Sequence, residues 1–301
     1  MNESTRDAFD QALDTRVIQG RSLWVDAWHR LLKNRAALAS LLLLVTMIAL
    51  VIIGPMLSDW DHEIPDWDNY STPPSMETGH LFGTDALGRD LFVRTMIGGR
   101  ISLLVGIVAT LVSLLIGISY GAIAGYFGGR IDNLMMRFVD GIYAMPFMFF
   151  VIVLMVIFGR NIFLIFVAIG AVNWLDMARI VRGQTLSLKN KPFVEAARAC
   201  GATEMQIIRR HIVPNLLGVV IVYVTLTIPQ VILIESFLSF LGLGVQEPLT
   251  SWGALVNEGA QELETAPWSL LFPATFLAAT LFAFNFLGDG LRDALDPKDR
   301  V

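Results

Sequence analysis

The chain has a single cysteine, Cys200, in 301 residues, only four histidines, and charged side chains at just 16% of positions. One cysteine excludes an intramolecular disulfide and every clustered-cysteine metal arrangement. His29, His62, His80 and His211 show neither a His-Glu-x-x-His pattern nor any paired spacing, so neither a zinc site nor a histidine-based catalytic site is expected. The dipeptide Gly-Lys does not occur, which rules out a Walker A phosphate loop and with it ATP hydrolysis by the chain alone. The net charge is −5 and Lys/Arg runs are lacking, which argues against a nucleic-acid partner. No cofactor or metal is expected in this chain.

What the sequence has in abundance is apolar surface. Hydrophobic residues make up 54% of the chain and mean hydropathy is +0.60, well beyond an ordinary soluble domain. Crossing a hydrocarbon core of about 30 Å takes roughly 20 mostly apolar helical residues. Six stretches approach that requirement: Ala36 to Leu57, Ile101 to about Ala124, about Leu134 to Phe158, Ile162 to Met177, Leu216 to Leu241 and Trp268 to Leu287. The third and fourth are separated only by Gly159-Arg160-Asn161, which suits a tight helical hairpin. The fold class expected is therefore all-α, a polytopic membrane protein with six transmembrane helices.

Lys and Arg accumulate on the cytoplasmic side of short loops. With the N-terminus inside, 18 of the 22 basic residues fall on inner segments, and the loop from Gly242 to Pro267 carries four Glu and no basic residue. Both termini are expected to be cytoplasmic. The chain then divides into a cytoplasmic segment 1–35, a first span 36–57, a periplasmic loop 58–100, a five-helix core 101–290 with a cytoplasmic loop 179–215, and a tail 291–301. The segment before the first span is too long and too acidic for a signal peptide, so that span is expected to remain as an anchor.

The cytoplasmic loop contains "PFVEAARACGATEMQIIRRHIVPN", residues 192–215. Pro192 suits the first turn of a helix and Gly201 a left-handed stop. Thr203 and Gln206 have capping-box spacing for a second short helix, ending in Arg209, Arg210 and His211 before Pro214. Ala196 and Ala197 offer a small-residue surface with Glu195 at its margin, suited to docking against another protein. The competing reading is a well-capped loop with no partner.

Glu195-Ala196-Ala197, Gly201 and His211-Ile-Val-Pro214 at these offsets resemble the EAA signature of ABC-importer permease subunits. Three further stretches resemble the dipeptide/oligopeptide/nickel branch of that family: "FGTDALGRD" (82–90), "ESFLSFLGLGVQEPLTSWG" (235–253) and "GDGLRDALDP" (288–297). The stretches "GRSLW" (20–24), "FMFFVIV" (147–153) and "SWGAL" (251–255) are most similar to the OppC-type subunit of oligopeptide importers. The resemblance implies a bacterial inner-membrane machine of five parts. Besides this chain it holds a homologous OppB-like permease subunit, two OppD/OppF-like ATPase subunits that bind ATP and Mg, and a periplasmic OppA-like peptide-binding protein. It also implies that residues 192–215 contact an ATPase. Dipeptides and nickel chelates are alternative cargoes within the same branch.

Other residues have weaker claims. Gly117, Gly121 and Gly125 repeat every four positions, continued upstream by Gly106, Thr110 and Ser113, as a face for close helix contact. Asp140, Asp176 and Glu235 are costly acids near span ends. The first two are expected to be satisfied by Arg137 and Arg179, while Glu235 could line the outer vestibule or pair with the partner permease. Met145, Phe147 and Met148, from a Met/Phe-rich stretch, are adaptable enough for a peptide pathway, with lipid contact and helix packing as the plainer role. Thr84, Asp85, Gly88, Arg89 and Asp90 form a charge-balanced turn that serves either structure or contact with the binding protein. A stand-alone secondary transporter would want mid-membrane coupling charges, broken helices and an internal repeat, and an intramembrane enzyme would want a catalytic constellation. The sequence offers neither.

Overall fold

A computed structural model of the chain describes residues 23–158 and 162–295. The N-terminal 22 residues, the Gly159–Asn161 turn of the expected hairpin and the last six residues, Pro297 among them, lie outside the described residues. Every regular element among the described residues is a helix, apart from one isolated antiparallel bridge between Thr84 and Asp90.

The helices are α1 (Leu23–Lys33), α2 (Arg35–Ile53), α3 (Leu91–Phe127), α4 (Gly129–Tyr143), α5 (Phe147–Phe158), α6 (Ile162–Leu188), α7 (Pro192–Ala199), α8 (Glu204–Ile207), α9 (Val213–Phe240), α10 (Trp252–Gln261) and α11 (Trp268–Leu295). α2 begins at an Asn34 cap whose side chain accepts from the amides of Ala36 and Ala37, and a 3-10 turn follows at Gly54–Met56. Arg100 closes its far end by donating to the carbonyls of Val51 and Ile52 at 2.8 and 2.7 Å, a cation at the negative end of a helix dipole.

Four segments are long and apolar enough to cross a membrane: 35–56, 91–127, 204–240 and 268–295, with α4 and α5 together making a fifth if a bend of 77° is accepted within one span. The third apolar stretch is therefore not one straight helix. Pro146 cannot donate a backbone hydrogen bond and disfavours helical geometry in the residue before it, so α4 stops at Tyr143 and α5 restarts at Phe147. The second stretch begins ten residues earlier than its apolar pattern suggests, because Asp90 caps it by accepting from Val93 at 2.8 Å. The fifth does not start at Leu216 either. Helix α8 runs on through a wide π turn at Ile208–Ile212 into α9, with the Val213 amide reaching back to the carbonyl of Ile208. Pro214, with no amide hydrogen to offer, sits in the first turn of α9 and does not end the segment.

α6 packs along α3, and α11 packs between α2 and α9. Three glycines of α3 allow the first contact. A Cβ on Gly117 would strike Met177, one on Gly121 the carbonyl of Ala178, and one on Gly125 the carbonyl of Arg182. Gly106 belongs to another interface, facing Ile228 and Ile232 of α9.

Candidate functional site

The element at residues 192–215 is built on a buried foot. Val194 is fully buried in α7 and packs in one apolar cluster with Tyr126, Met177, Val181, Ile207 and Ile212, which belong to α3, α6, α8 and the π turn. The α7 stop is a Schellman turn: Gly201 lies at φ 81°, its amide donates to Arg198 O at 3.0 Å, and that of Ala202 to Ala197 O at 3.1 Å. Ala197 and Ala202 are half-buried against the cluster. The capping box forms, with Gln206 accepting from the Thr203 amide at 2.9 Å and Thr203 Oγ1 from the Gln206 amide at 3.4 Å. The Tyr126 hydroxyl donates to Glu204 and accepts from Arg198 Nη2 at 3.1 Å, tying the end of α3 to α7 and α8.

With that foot inward, Phe193, Glu195, Ala196 and Ala199 point to solvent. Ala196 thus lies on the outer face and Ala197 on the margin of the foot. His211 is half-buried in the π turn, where its carbonyl accepts from Asn215 Nδ2 at 2.6 Å, and Pro214 is exposed. Arg209 and Arg210 are exposed beside them. The element therefore presents one small-residue, partly charged face on a rigid support that continues directly into α9. A force on α7 would be transmitted to α6 through the three-residue connection 189–191 and to α9 through the unbroken π turn.

Inside the helical bundle the acids are placed differently from the simple expectation. Asp140 pairs with Arg179 at 2.7 Å and not with Arg137, and Arg179 also lies 4.4 Å from the Tyr143 ring centroid. Arg182 takes Asp132 with both ends of its guanidinium, at 2.5 and 2.6 Å. Asp176 consequently loses the partner assigned to it, and has no hydrogen bond or ion pair among the described residues. Glu235 lines no vestibule in this conformation. It is fully buried and accepts hydrogen bonds from Ser102 at 3.0 Å and Ser239 at 2.7 Å, while Ser102 also accepts from the Trp252 amide at 3.2 Å. That polar knot joins α3, α9 and α10.

A cleft of about 600 Å³ opens where α4 breaks from α5, lined by Tyr143, Met145, Pro146 and Phe147 on that side and by α6 and α9 on the other. Met145 and Phe147 face it. Met148 instead packs in an apolar cluster with Val105, Val151 and Ile169.

Residues 58–100 are cross-tied to the loop 242–267. Asp85 accepts from the amides of Leu87 and Arg89, both at 2.9 Å, from Arg89 Nε at 2.8 Å and from Arg94. Arg94, almost wholly buried, also donates to both oxygens of Glu258, and Arg89 reaches Glu247 at 2.8 Å. Two of the four acids in the unbalanced outer loop thus have their cations in the preceding one. The hydrogen bond from Arg89 holds the Glu247 carboxyl below its ordinary range despite some desolvation. Buried His80 bridges Asp90 at 2.8 Å and Asp66 at 3.3 Å and stacks on Trp60. Burial pushes the Asp90 carboxyl up, opposed by its hydrogen bonds from Val93 and His80. Gly88, at φ 77°, abuts the carbonyl of Asp66, and Thr84 Oγ1 donates to Asn69 O at 2.7 Å. None of the carboxylate-to-His80 or Arg94-to-Glu258 contacts could be read from the local motif, since their partners lie 10 to 164 positions away.

Comparison with known proteins agrees with this architecture. The oligopeptide transport system permease protein OppC of Haemophilus influenzae is 58% identical over 303 residues, covering 100% of this chain and 97% of that protein. Its counterpart of the same name in Escherichia coli K12 is 59% identical over 299 residues, covering 99% of this chain and 98% of that one. A dipeptide transport system permease protein, DppC of Bacillus subtilis, is 49% identical over 276 residues, covering 91% of this chain and 86% of its own length. Among solved structures, a chain of the MetNI methionine ABC transporter in an inward-facing form superposes with a TM-score of 0.52 at 22% identity, covering 66% of this chain and 94% of that one, a likeness of fold. Residues 22–74 match the N-terminal transmembrane domain of oligopeptide transport permease C. Residues 117–301, which include the whole element 192–215, the cleft and the glycine contacts, match the inner membrane component of binding-protein-dependent transport systems, and it is to this family that the chain belongs.

Proposed function

We propose that this chain is one of two homologous permease subunits enclosing the pathway of an ATP-driven oligopeptide importer. In this reading it crosses the bacterial inner membrane six times with both termini in the cytoplasm, the broken α4–α5 pair and α6 each counting as a span. ATP and Mg bind on two partner ATPases, and a periplasmic binding protein delivers peptide to the outer face. The observation that carries the proposal is the element 192–215. Its foot is locked to α3 by Val194 and the Tyr126 bridges, its outer face is small and accessible, and it is continuous with α9. Peptide cargo is supported by near-full-length identity to proteins named as oligopeptide permeases.

Docking of the outer α7 face on an ATPase turns nucleotide-driven closure into movement of α6 and α9, which changes the side of the membrane to which the pathway opens. No catalysis by this chain is required. The test is uptake of a labelled tripeptide by vesicles holding the full importer, with and without this chain. The proposal expects ATP-dependent accumulation only in the complete assembly. Accumulation driven by an ion gradient through this chain alone would overturn it.

A further inference from the structure

We infer that Asp176 is the binding point, within the pathway, for the positively charged α-amino group of the transported peptide. This inference rests on the importer reading above. Asp176 is the one charged side chain among the described residues lining the cleft of about 600 Å³ at the α4–α5 break. The nearby cations are already committed elsewhere, Arg179 to Asp140 and Arg182 to Asp132. A carboxylate in a largely apolar cleft with no ion-pair partner among the described residues is costly, and a ligand that brings the positive charge removes that cost.

Two further features favour an ammonium group. The C-terminal end of α4, at Tyr143, borders the cleft, and helix C-termini carry partial negative charge. Asn173 and Gln230 stand on the cleft wall as neutral hydrogen-bonding groups able to take the adjoining peptide backbone, while Met145 and Phe147 supply adaptable apolar surface. The arrangement reads the part that all unblocked peptides share and leaves side chains loosely specified. A break in a membrane helix that opens on a binding cleft is a recurring way of exposing such polar groups at depth.

The test compares wild type with Asp176→Asn and Asp176→Glu in the complete importer in vesicles, using trialanine, whose only cation is its α-amino group. The readout is peptide accumulated per ATP hydrolysed, at equal amounts of assembled complex. The expected result is about a tenfold fall in that ratio for Asp176→Asn and substantial recovery for Asp176→Glu, a charge-assisted hydrogen bond being lost and regained. An unchanged ratio in Asp176→Asn overturns the inference. So does a parallel loss of uptake and ATP hydrolysis, or loss of the partner permease on purification, either of which would make Asp176 a structural or subunit-contact residue. Replacing sodium by choline distinguishes the source of the cation: wild-type uptake should be unaffected, and a sodium requirement abolished by Asp176→Asn would assign the site to a metal cation. If wild type fails to accumulate peptide at all, the importer reading fails independently of Asp176.

Discussion

Gly201 shows how much one residue decides in the element 192–215. At φ 81° it has open space around the position a Cβ would take, so the cost of substitution is conformational and not a clash. Gly201→Val should strain the left-handed turn by roughly 1–2 kcal/mol and tilt α7 against α8, while the membrane helices remain untouched. We expect peptide uptake to fall several-fold with membrane abundance unchanged, measured side by side in the same vesicles. Uptake at the wild-type level would show that the angle between the two short helices is irrelevant to coupling. Local signals were enough to place this turn, because a Schellman stop and a Thr-x-x-Gln cap depend on residues within six positions of one another. They were not enough for Asp176 and Glu235. A simple nearest-cation argument gave Asp176 the guanidinium of Arg179, which the fold instead delivers to Asp140, 39 positions away. The serines around Glu235 come from α3 and α9, 133 positions apart in the case of Ser102.

At the scale of elements, the α3–α6 contact depends on three small residues in register. Gly121 is the tightest of these, since any side chain there meets the backbone of Ala178. Gly121→Leu should force the helices apart and lower the yield of monodisperse, detergent-extracted protein several-fold, as read by size-exclusion chromatography. A normal profile would place that face toward lipid. The four-residue spacing was visible in the sequence; which helix it met was not, and Gly106 turned out to serve α9. The third apolar stretch, expected as one span from about Leu134 to Phe158, is a pair of helices bent by 77°. Hydropathy averages over the break at Pro146, so a bent pair and a continuous helix of the same composition give the same signal. The π turn at Ile208–Ile212 was concealed likewise, because Pro214 reads as a helix stop when it is in fact tolerated in the first turn of α9.

For the whole molecule, continuous helices join the clamp at residues 58–100, the helical bundle and the element 192–215. Arg94 and Asp85 fix the start of α3 to α10 through Glu258, and the end of α3 carries Tyr126 beneath the element 192–215. A single helix of 37 residues, about 55 Å long at 1.5 Å per residue, thus connects the two faces. The proposed docking of the exposed α7 face on an ATPase is tested by affinity purification of the protein from mild-detergent membranes, comparing wild type with Glu195→Arg. Glu195 is exposed, so charge reversal should leave folding intact while opposing the docked state. We expect a P-loop ATPase to co-purify with wild type and to be reduced at least tenfold with Glu195→Arg. Intact, well-folded wild-type protein that brings down no ATPase would contradict it.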